Sequence, residues 1–227
     1  FKERRYAGSK DRRAIRDLAW HAIRSFGDKP HSGRAALLTL AADDAELAAL
    51  FTGDERAPAV INTGEPHASR IAAPRWLKPL LDPRMDDAEL AALLERAPLD
   101  LRINPHRSAD ELPEGEALPV PLVGLRLPTG SLVETHPAYV AGAVEVQDVG
   151  SQWIARAASV QAGMTIVDLC AGAGGKTLAL AAQLPVGLGE GTRLIACDTD
   201  RRRLGQLSPR AERAGVTNIE CRLLNPN

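Results

Sequence analysis

The chain has 227 residues, 44% of them hydrophobic and 25% charged, which allows one large or two small domains with a real core. A formal net charge of −1 and a pI near 6.6 exclude a uniformly basic nucleic-acid-binding protein, although basic residues can still cluster locally.

A basic amphipathic helix is predicted at the amino-terminal end. Residues 1–24 contain eight basic and three acidic side chains, and from Arg12 onward apolar residues recur on one helical face. Such a cluster can neutralise RNA phosphates, but it can also be only a solvated face. The candidate RNA-binding residues are Arg4, Arg5, Lys10, Arg12 and Arg13.

Two further helices are predicted over residues 34–41 and 43–51, with Asp43 as the N-cap of the second. The first part of the chain is therefore predicted to be all-α. Residues 52–83 are rich in Pro and Gly and read as a connector that contains a short helix broken by prolines.

A small α+β module is predicted next, over residues 84–145. Residues 86–96 form a helix that Asp86 caps, with a buried stripe of Leu90, Leu93 and Leu94. The apolar period then changes to two over residues 99–104, which predicts a strand, and the runs LVGLRLP and SLVETH are also strand-like.

The last part, residues 146–227, alternates strands and helices. TIVDLC, TRLIACD and NIECRLL are apolar strands, separated by the helical stretches GGKTLALAAQL and DRRRLGQLSPRAERAG, in which Pro209 is expected to distort the helix. This order is the first half of a doubly wound, Rossmann-like α/β fold with a parallel sheet. The predicted domains are thus residues 1–83, 84–145 and 146–227.

A glycine-rich stretch, VDLCAGAGGKT, lies where the first of these strands leads into the first helix, a place that favours a ligand. Its end, Gly175-Lys176-Thr177, matches a phosphate-binding P-loop, but Cys170 stands where the first glycine should be. A dinucleotide fingerprint fails at Thr177, where a third glycine is required. A P-loop NTPase, a dinucleotide site and a purely structural turn remain as alternatives.

Two carboxylates favour a different ligand. Asp168 would repel a triphosphate but can meet an ammonium group, and Asp198, at the end of the second strand, can accept hydrogen bonds from both ribose hydroxyls. S-adenosylmethionine has a ribose, an amino group and a sulfonium centre, so it fits this pair of acids.

The same residues resemble a known family. VDLCAGAGGKT, preceded by VQDVGSQWIARAASVQAG and followed by LIACD and DRRRLGQLSPRAERAGVTNI, is similar to the RNA cytosine-5 methyltransferases of the Sun (RsmB-like) family, and in particular to bacterial enzymes that act on small-subunit ribosomal RNA. RRYAGSKDRRAIRDLAW resembles the NusB-like, RNA-binding helical domain of that subgroup, and APLDLRINP resembles the start of its linker module.

The resemblance implies an all-α NusB-like domain, a small α+β linker module and the first half of a Rossmann-like methyltransferase domain. The glycine loop would hold the methionine part of S-adenosylmethionine, Asp168 would lie near its amine, Asp198 would bind the ribose, and Asn225 would stand where many relatives have an acid near the adenine. The implied cofactor-binding residues are Asp168, Cys170, Ala171, Gly172, Ala173, Gly174, Gly175, Lys176, Asp198 and Asn225.

The chemistry of this family, as the resemblance implies, uses a cysteine thiolate that attacks carbon-6 of cytosine and a second cysteine that helps release the product. Those cysteines lie in motifs such as DAPCS and TCS, and neither motif occurs in the 227 residues. Cys170, Cys197 and Cys221 are interpreted as structural, so we expect the catalytic half beyond residue 227 and no activity from these residues alone. An RNA-binding or assembly factor that kept the cofactor fold is the rival interpretation.

The remaining expectations follow from composition. Three cysteines without C-x-x-C spacing and five scattered histidines argue against disulfides and a metal site, and they favour a reducing cytoplasm. No stretch approaches 18 consecutive apolar residues, so no membrane contact is expected. We expect a cytoplasmic monomer whose partner is ribosomal RNA.

Overall fold

The structure, a computed structural model, describes residues 8–225 and divides into two compact units, Phe1–Arg96 and Ala97–Asn227. The described helices are α1 (Ser9–Ser25), α2 (Gly33–Ala41), α3 (Ala45–Ala48), α4 (Asp87–Leu94), α5 (Pro137–Val140), α6 (Val149–Ala157), α7 (Gly175–Ala181), α8 (Arg201–Leu204) and α9 (Leu207–Ala214). The described strands are β1 (Leu99–Ile103), β2 (Glu116–Ala117), β3 (Gly124–Leu127), β4 (Val144–Val146), β5 (Thr165–Asp168), β6 (Arg193–Asp198) and β7 (Ile219–Leu223). The division into three segments stays a prediction, as does the likeness of the first to NusB.

The first unit is built around α2, whose Ser32 N-cap accepts a hydrogen bond from the Ala35 N–H. Its core contains Phe26, Ala36, Leu38, Leu40, Ala41, Leu47 and Phe51. The predicted basic helix is confirmed as α1, and Leu18 and Ala22 pack against this core. None of the α1 residues is fully buried, so the apolar face of α1 is covered only in part.

Three details of the first unit differ from the prediction. Asp44, not Asp43, caps α3, because the Asp44 carboxylate accepts a hydrogen bond from the Leu47 N–H at 3.0 Å. Asp86 caps α4 as predicted, but only Leu90 of the expected stripe is buried, whereas Leu93 is 71% exposed. The proline-broken helix of the connector is a single 3-10 turn, Lys78–Leu80.

The second unit begins with an antiparallel sheet in the order β2-β3-β1-β4, which we call the small sheet. Strand β1 is confirmed, but both of its faces are covered: Leu101 is fully buried, and Asp100 on the opposite face is only 5% exposed. Asp100 tolerates burial because Arg126 on β3 donates two hydrogen bonds to its carboxylate, at 2.7 and 2.9 Å. The strand-like interpretation of SLVETH is wrong, since residues 131–133 have no regular secondary structure and residues 134–136 form a turn.

The rest of the second unit is a parallel sheet in the order β5-β6-β7, as predicted. Helix α7 connects β5 to β6, and α8 and α9 connect β6 to β7. The predicted distortion by Pro209 takes the form of a break before Leu207, because proline lacks an N–H and its ring excludes the carbonyl of Gly205 four residues earlier. The core of this layer includes Leu178, Leu194 and Leu207.

Two features are absent from residues 8–225. No helix in this range is both long and apolar enough to cross a membrane. In the same range, no cluster of three or more His, Cys, Asp or Glu side chains could hold a metal ion.

Candidate cofactor site

The glycine-rich loop lies between the end of β5 and the start of α7. Gly172 and Gly174 have φ values of +53° and +87°, a region that side-chain-bearing residues rarely adopt. A Cβ atom on Gly174 would lie 2.0 Å from Cδ1 of Leu207, a buried side chain of α9. Glycine is therefore required at 174 by both backbone conformation and packing.

Backbone hydrogen bonds tie this loop to β6. The Ala171 N–H donates to Cys197 O at 2.8 Å, and the Gly172 N–H donates to Oδ2 of Asp198 at 2.7 Å. Within the loop, the Gly174 N–H donates to Ala171 O at 2.8 Å. The loop is thus held against the carboxyl end of the second strand, where ligands bind in folds of this class.

Asp198 is a buried carboxylate at the end of β6. The Asp200 N–H donates to its Oδ1 at 2.8 Å, and the Gly172 N–H donates to its Oδ2. These two hydrogen bonds, the first having the larger effect, hold the pKa of Asp198 below its ordinary range. Asp198 is therefore ionised at neutral pH, and each oxygen keeps lone-pair capacity for a ribose hydroxyl.

Asp168 lies at the base of the loop, half-buried. Its Oδ2 accepts a hydrogen bond from the Thr177 hydroxyl at 2.6 Å, and Thr177 is completely buried in the first turn of α7. This bond fixes the direction of the carboxylate. The threonine that spoils the dinucleotide fingerprint thus orients an acid of the candidate site.

The other predicted cofactor residues lie at the same edge of the sheet. Cys170 and Lys176 are exposed on the loop and at the start of α7, respectively. Asn225 is exposed and follows Leu224, whose N–H donates to Asp198 O at 2.8 Å. The structure brings these residues together, while the role of each in binding stays a prediction.

The predicted RNA-binding residues lie in the first unit. Lys10, Arg12 and Arg13 are exposed on α1. Arg4 and Arg5 lie outside the described residues, so the structure does not test their placement.

Arg210 is a loop contact that sequence reasoning missed. Its Nη1 donates to Ala173 O at 2.8 Å, and its Nη2 donates to Oε2 of Glu145 at 2.9 Å. A second arginine, Arg203, lowers the pKa of Asp198 by its charge. No sequence spacing could have predicted the contacts of Arg210, because Arg210 is 37 residues from Ala173 and 65 from Glu145.

No family profile matches the chain. Among curated proteins, the chain is 33% identical over 162 residues to a probable ribosomal RNA small subunit methyltransferase B of Synechocystis, which covers 65% of this chain and 35% of the relative. It is 34% identical over 96 residues to the 25S rRNA (cytosine-C(5))-methyltransferase NSUN5 of Arabidopsis thaliana, which covers 42% of this chain and 16% of the relative. The chain thus spans about a third or less of the length of these curated relatives.

A solved structure supports the fold. A methyltransferase homolog protein from Pyrococcus horikoshii matches with a TM-score of 0.52 at 19% identity, over 60% of this chain and 47% of that protein. At this identity the match establishes a Rossmann-like methyltransferase fold, in agreement with the parallel sheet and its glycine loop. The curated relatives thus confirm the resemblance of this chain to the Sun family, and the solved structure supports its fold.

Proposed function

We propose that this chain is the cofactor-binding part of an S-adenosylmethionine-dependent methyltransferase that modifies carbon-5 of a cytidine in ribosomal RNA. The observation that carries the proposal is the ionised Asp198 bonded to the Gly172 N–H, which joins a ribose acceptor to the glycine loop. The relatives named as ribosomal RNA and cytosine-C5 methyltransferases supply the substrate class.

The residues present fit the cofactor. A Cβ atom built on Gly175 would meet no atom within 4 Å, so a ligand has room against the backbone where α7 begins. Asp198 would accept the ribose hydroxyls, and Asp168, oriented by Thr177, would face the amino group of the methionine part. Asn225 would offer an amide near the adenine. When bound, the cofactor supplies an electrophilic methyl group.

The cysteines of the chain do not offer a good nucleophile for carbon-6. Cys197 is buried in β6, and Cys170 belongs to the loop that would hold the cofactor. Cys221 is exposed on β7, but partial burial of its thiol raises the pKa and disfavours the thiolate. We therefore place the nucleophile in the family motifs DAPCS and TCS, which the 227 residues lack.

The RNA substrate would be an unpaired or unstacked cytidine, because a base inside a helix hides carbon-5 and carbon-6 from an active site. Arg4, Arg5 and the exposed Lys10, Arg12 and Arg13 of α1 would contact its phosphates. Contacts of this kind hold the RNA without reading its sequence.

Calorimetric titration with S-adenosylhomocysteine tests the cofactor assignment. We expect the natural protein to bind and Asp198→Ala to bind about tenfold or more weakly, because hydrogen bonds to a charged group are lost. Glu190→Ala is the matched control, since it removes an exposed carboxylate near the opposite end of β6.

ATP with magnesium forms the second arm of this experiment. A P-loop NTPase would bind ATP tightly, would lose that binding in Lys176→Ala and would ignore S-adenosylhomocysteine. That result would overturn the proposal.

A further inference from the structure

The small sheet reaches the glycine loop through two side chains. Glu145 on β4 accepts a hydrogen bond from Nη2 of Arg210, and Nη1 of the same guanidinium donates to Ala173 O inside the loop. We propose that Arg210 and Glu145 are positioning residues, which hold the loop in the conformation that binds the cofactor. The inference rests on the proposed function, because it concerns the affinity of that same site.

Arg210 binds one end of the peptide group that joins Ala173 to Gly174, and the other end of this group is also hydrogen-bonded. Ala173 O and the Gly174 N–H belong to the same peptide unit: Arg210 bonds the oxygen at 2.8 Å, and Ala171 O accepts from the N–H at 2.8 Å. This peptide lies next to a residue with φ of +87°, and glycine offers no side chain of its own to fix it. The peptide is therefore held at both ends, and the bond to its oxygen comes from outside the loop.

Glu145 is a rigid anchor for the arginine. Its side chain is only 2% exposed, and it also pairs with Arg213. The Arg213 guanidinium in turn lies over the ring of Tyr139, 3.9 Å from its centroid. Because a buried carboxylate is costly unless it is paired, this geometry resists rearrangement.

Gln147, directly after β4, makes a second link between the small sheet and the glycine loop. Its Nε2 lies 3.4 Å from Gly175 O, and its Oε1 accepts a hydrogen bond from Nε of the buried Arg102 at 2.9 Å. Gln147 thus contacts the backbone directly after Gly174, while Glu145 reaches the backbone before Gly174 through Arg210, so the small sheet supports the loop.

The experiment compares Arg210→Ala with Arg126→Ala. Both variants remove an arginine that pairs with a carboxylate buried in the small sheet, but Arg126 bonds Asp100 and does not touch the loop. Two quantities are measured in each protein: the Kd for S-adenosylhomocysteine and the amide hydrogen exchange of Gly172, Gly174 and Gly175 without ligand. Thermal unfolding reports the general loss of stability.

We expect Arg210→Ala to raise the Kd about tenfold and to speed exchange of the loop amides by a similar factor. Arg126→Ala should lower the melting temperature while its Kd and loop exchange stay within about twofold of the natural protein. Arg210→Lys should not restore the affinity, because a single ammonium cannot copy the planar fork that reaches both Glu145 and Ala173 O.

Equal effects of the two substitutions on Kd and loop exchange would overturn the inference and leave Arg210 a purely structural residue. If Arg210→Ala does not fold, Glu145→Gln replaces it in the experiment. Unchanged exchange of the loop amides in Glu145→Gln would also overturn the inference. If the natural protein binds no S-adenosylhomocysteine, the proposed function fails, and the exchange measurement alone still decides whether Arg210 holds the loop.

Discussion

The two units of the chain differ in the charged side chains that they bury. In the first unit, α1 leaves Ile15, Trp20 and Ile23 exposed by 53%, 53% and 62%. In the second unit, even carboxylates such as Asp100 and Glu145 are buried, each paired with arginine. Apolar side chains are exposed in both units, but among the described residues charged side chains are buried only in the second.

The two candidate sites differ in a related way. The cofactor proposal depends on atoms at fixed distances, because Gly172, Asp198 and Arg210 act only in their observed positions. The RNA proposal depends on the number of positive charges on α1, where no single position is decisive. Single substitutions in the second unit should therefore have large effects on cofactor binding. Substitutions on α1 should each have a small, salt-dependent effect on RNA binding.

The largest effect is expected from Gly174→Ala. A Cβ atom there must adopt an unfavourable positive φ and overlap the buried Leu207, which together should cost about 2–4 kcal/mol of unfolding free energy. Urea denaturation measures this loss. Gly175→Ala is the matched control one residue away, because its Cβ meets nothing within 4 Å. Equal stability of the two variants would mean that the loop is not fixed by packing against α9.

The order of strands and helices in the second unit could be predicted because each element carries its own local pattern. Apolar runs mark β5, β6 and β7, and the glycines mark the turn into α7. The position of Asp198 followed from the same logic, since the end of the second strand must face the loop after the first.

The contacts that hold the loop could not be predicted in this way. Arg210 lies in α9 beside two other charged residues, and nothing local distinguishes it from a solvated arginine. Its role depends on how β4 packs against α9, which only the folded chain determines. The same reason applies to Asp100: the alternation over residues 99–104 predicts the strand, but the burial of this carboxylate depends on Arg126 of β3, which only the fold brings near.

A smaller, distributed effect is expected from charge reversal on α1. The triple variant Lys10→Glu, Arg12→Glu, Arg13→Glu should bind ribosomal RNA fragments about tenfold more weakly, with a shallower dependence of affinity on salt. A control with the same change in charge elsewhere in the first unit is Arg75→Glu, Lys78→Glu, Arg84→Glu. Filter binding at several salt concentrations compares the two. Equal losses would mean that α1 contributes only to the overall charge.

The smallest effect concerns the ion pair that ties the connector of the first unit to α2. Arg34 donates to both carboxylate oxygens of Glu65, and the Asn62 N–H adds a third hydrogen bond at 2.8 Å. These bonds, led by that from Arg34, lower the pKa of Glu65 from 4.5 to about 2. Because the folded-state pKa is lowered, the stabilisation is complete above pH 4.5 and is lost as the pH falls toward 2.

Melting curves of the natural protein and of Glu65→Gln measure this contribution across pH 2 to 7. The difference in melting temperature should be constant above about pH 5 and should shrink as the natural carboxylate is protonated. The difference should also be small and salt-sensitive, because water competes for the partly exposed pair of Arg34 and Glu65. Water cannot compete in this way for the buried carboxylate of Glu145. A difference that persists unchanged at pH 2 would show that the shape of Glu65, and not its charge, holds the connector, and the contrast with the buried pairs of the second unit would disappear.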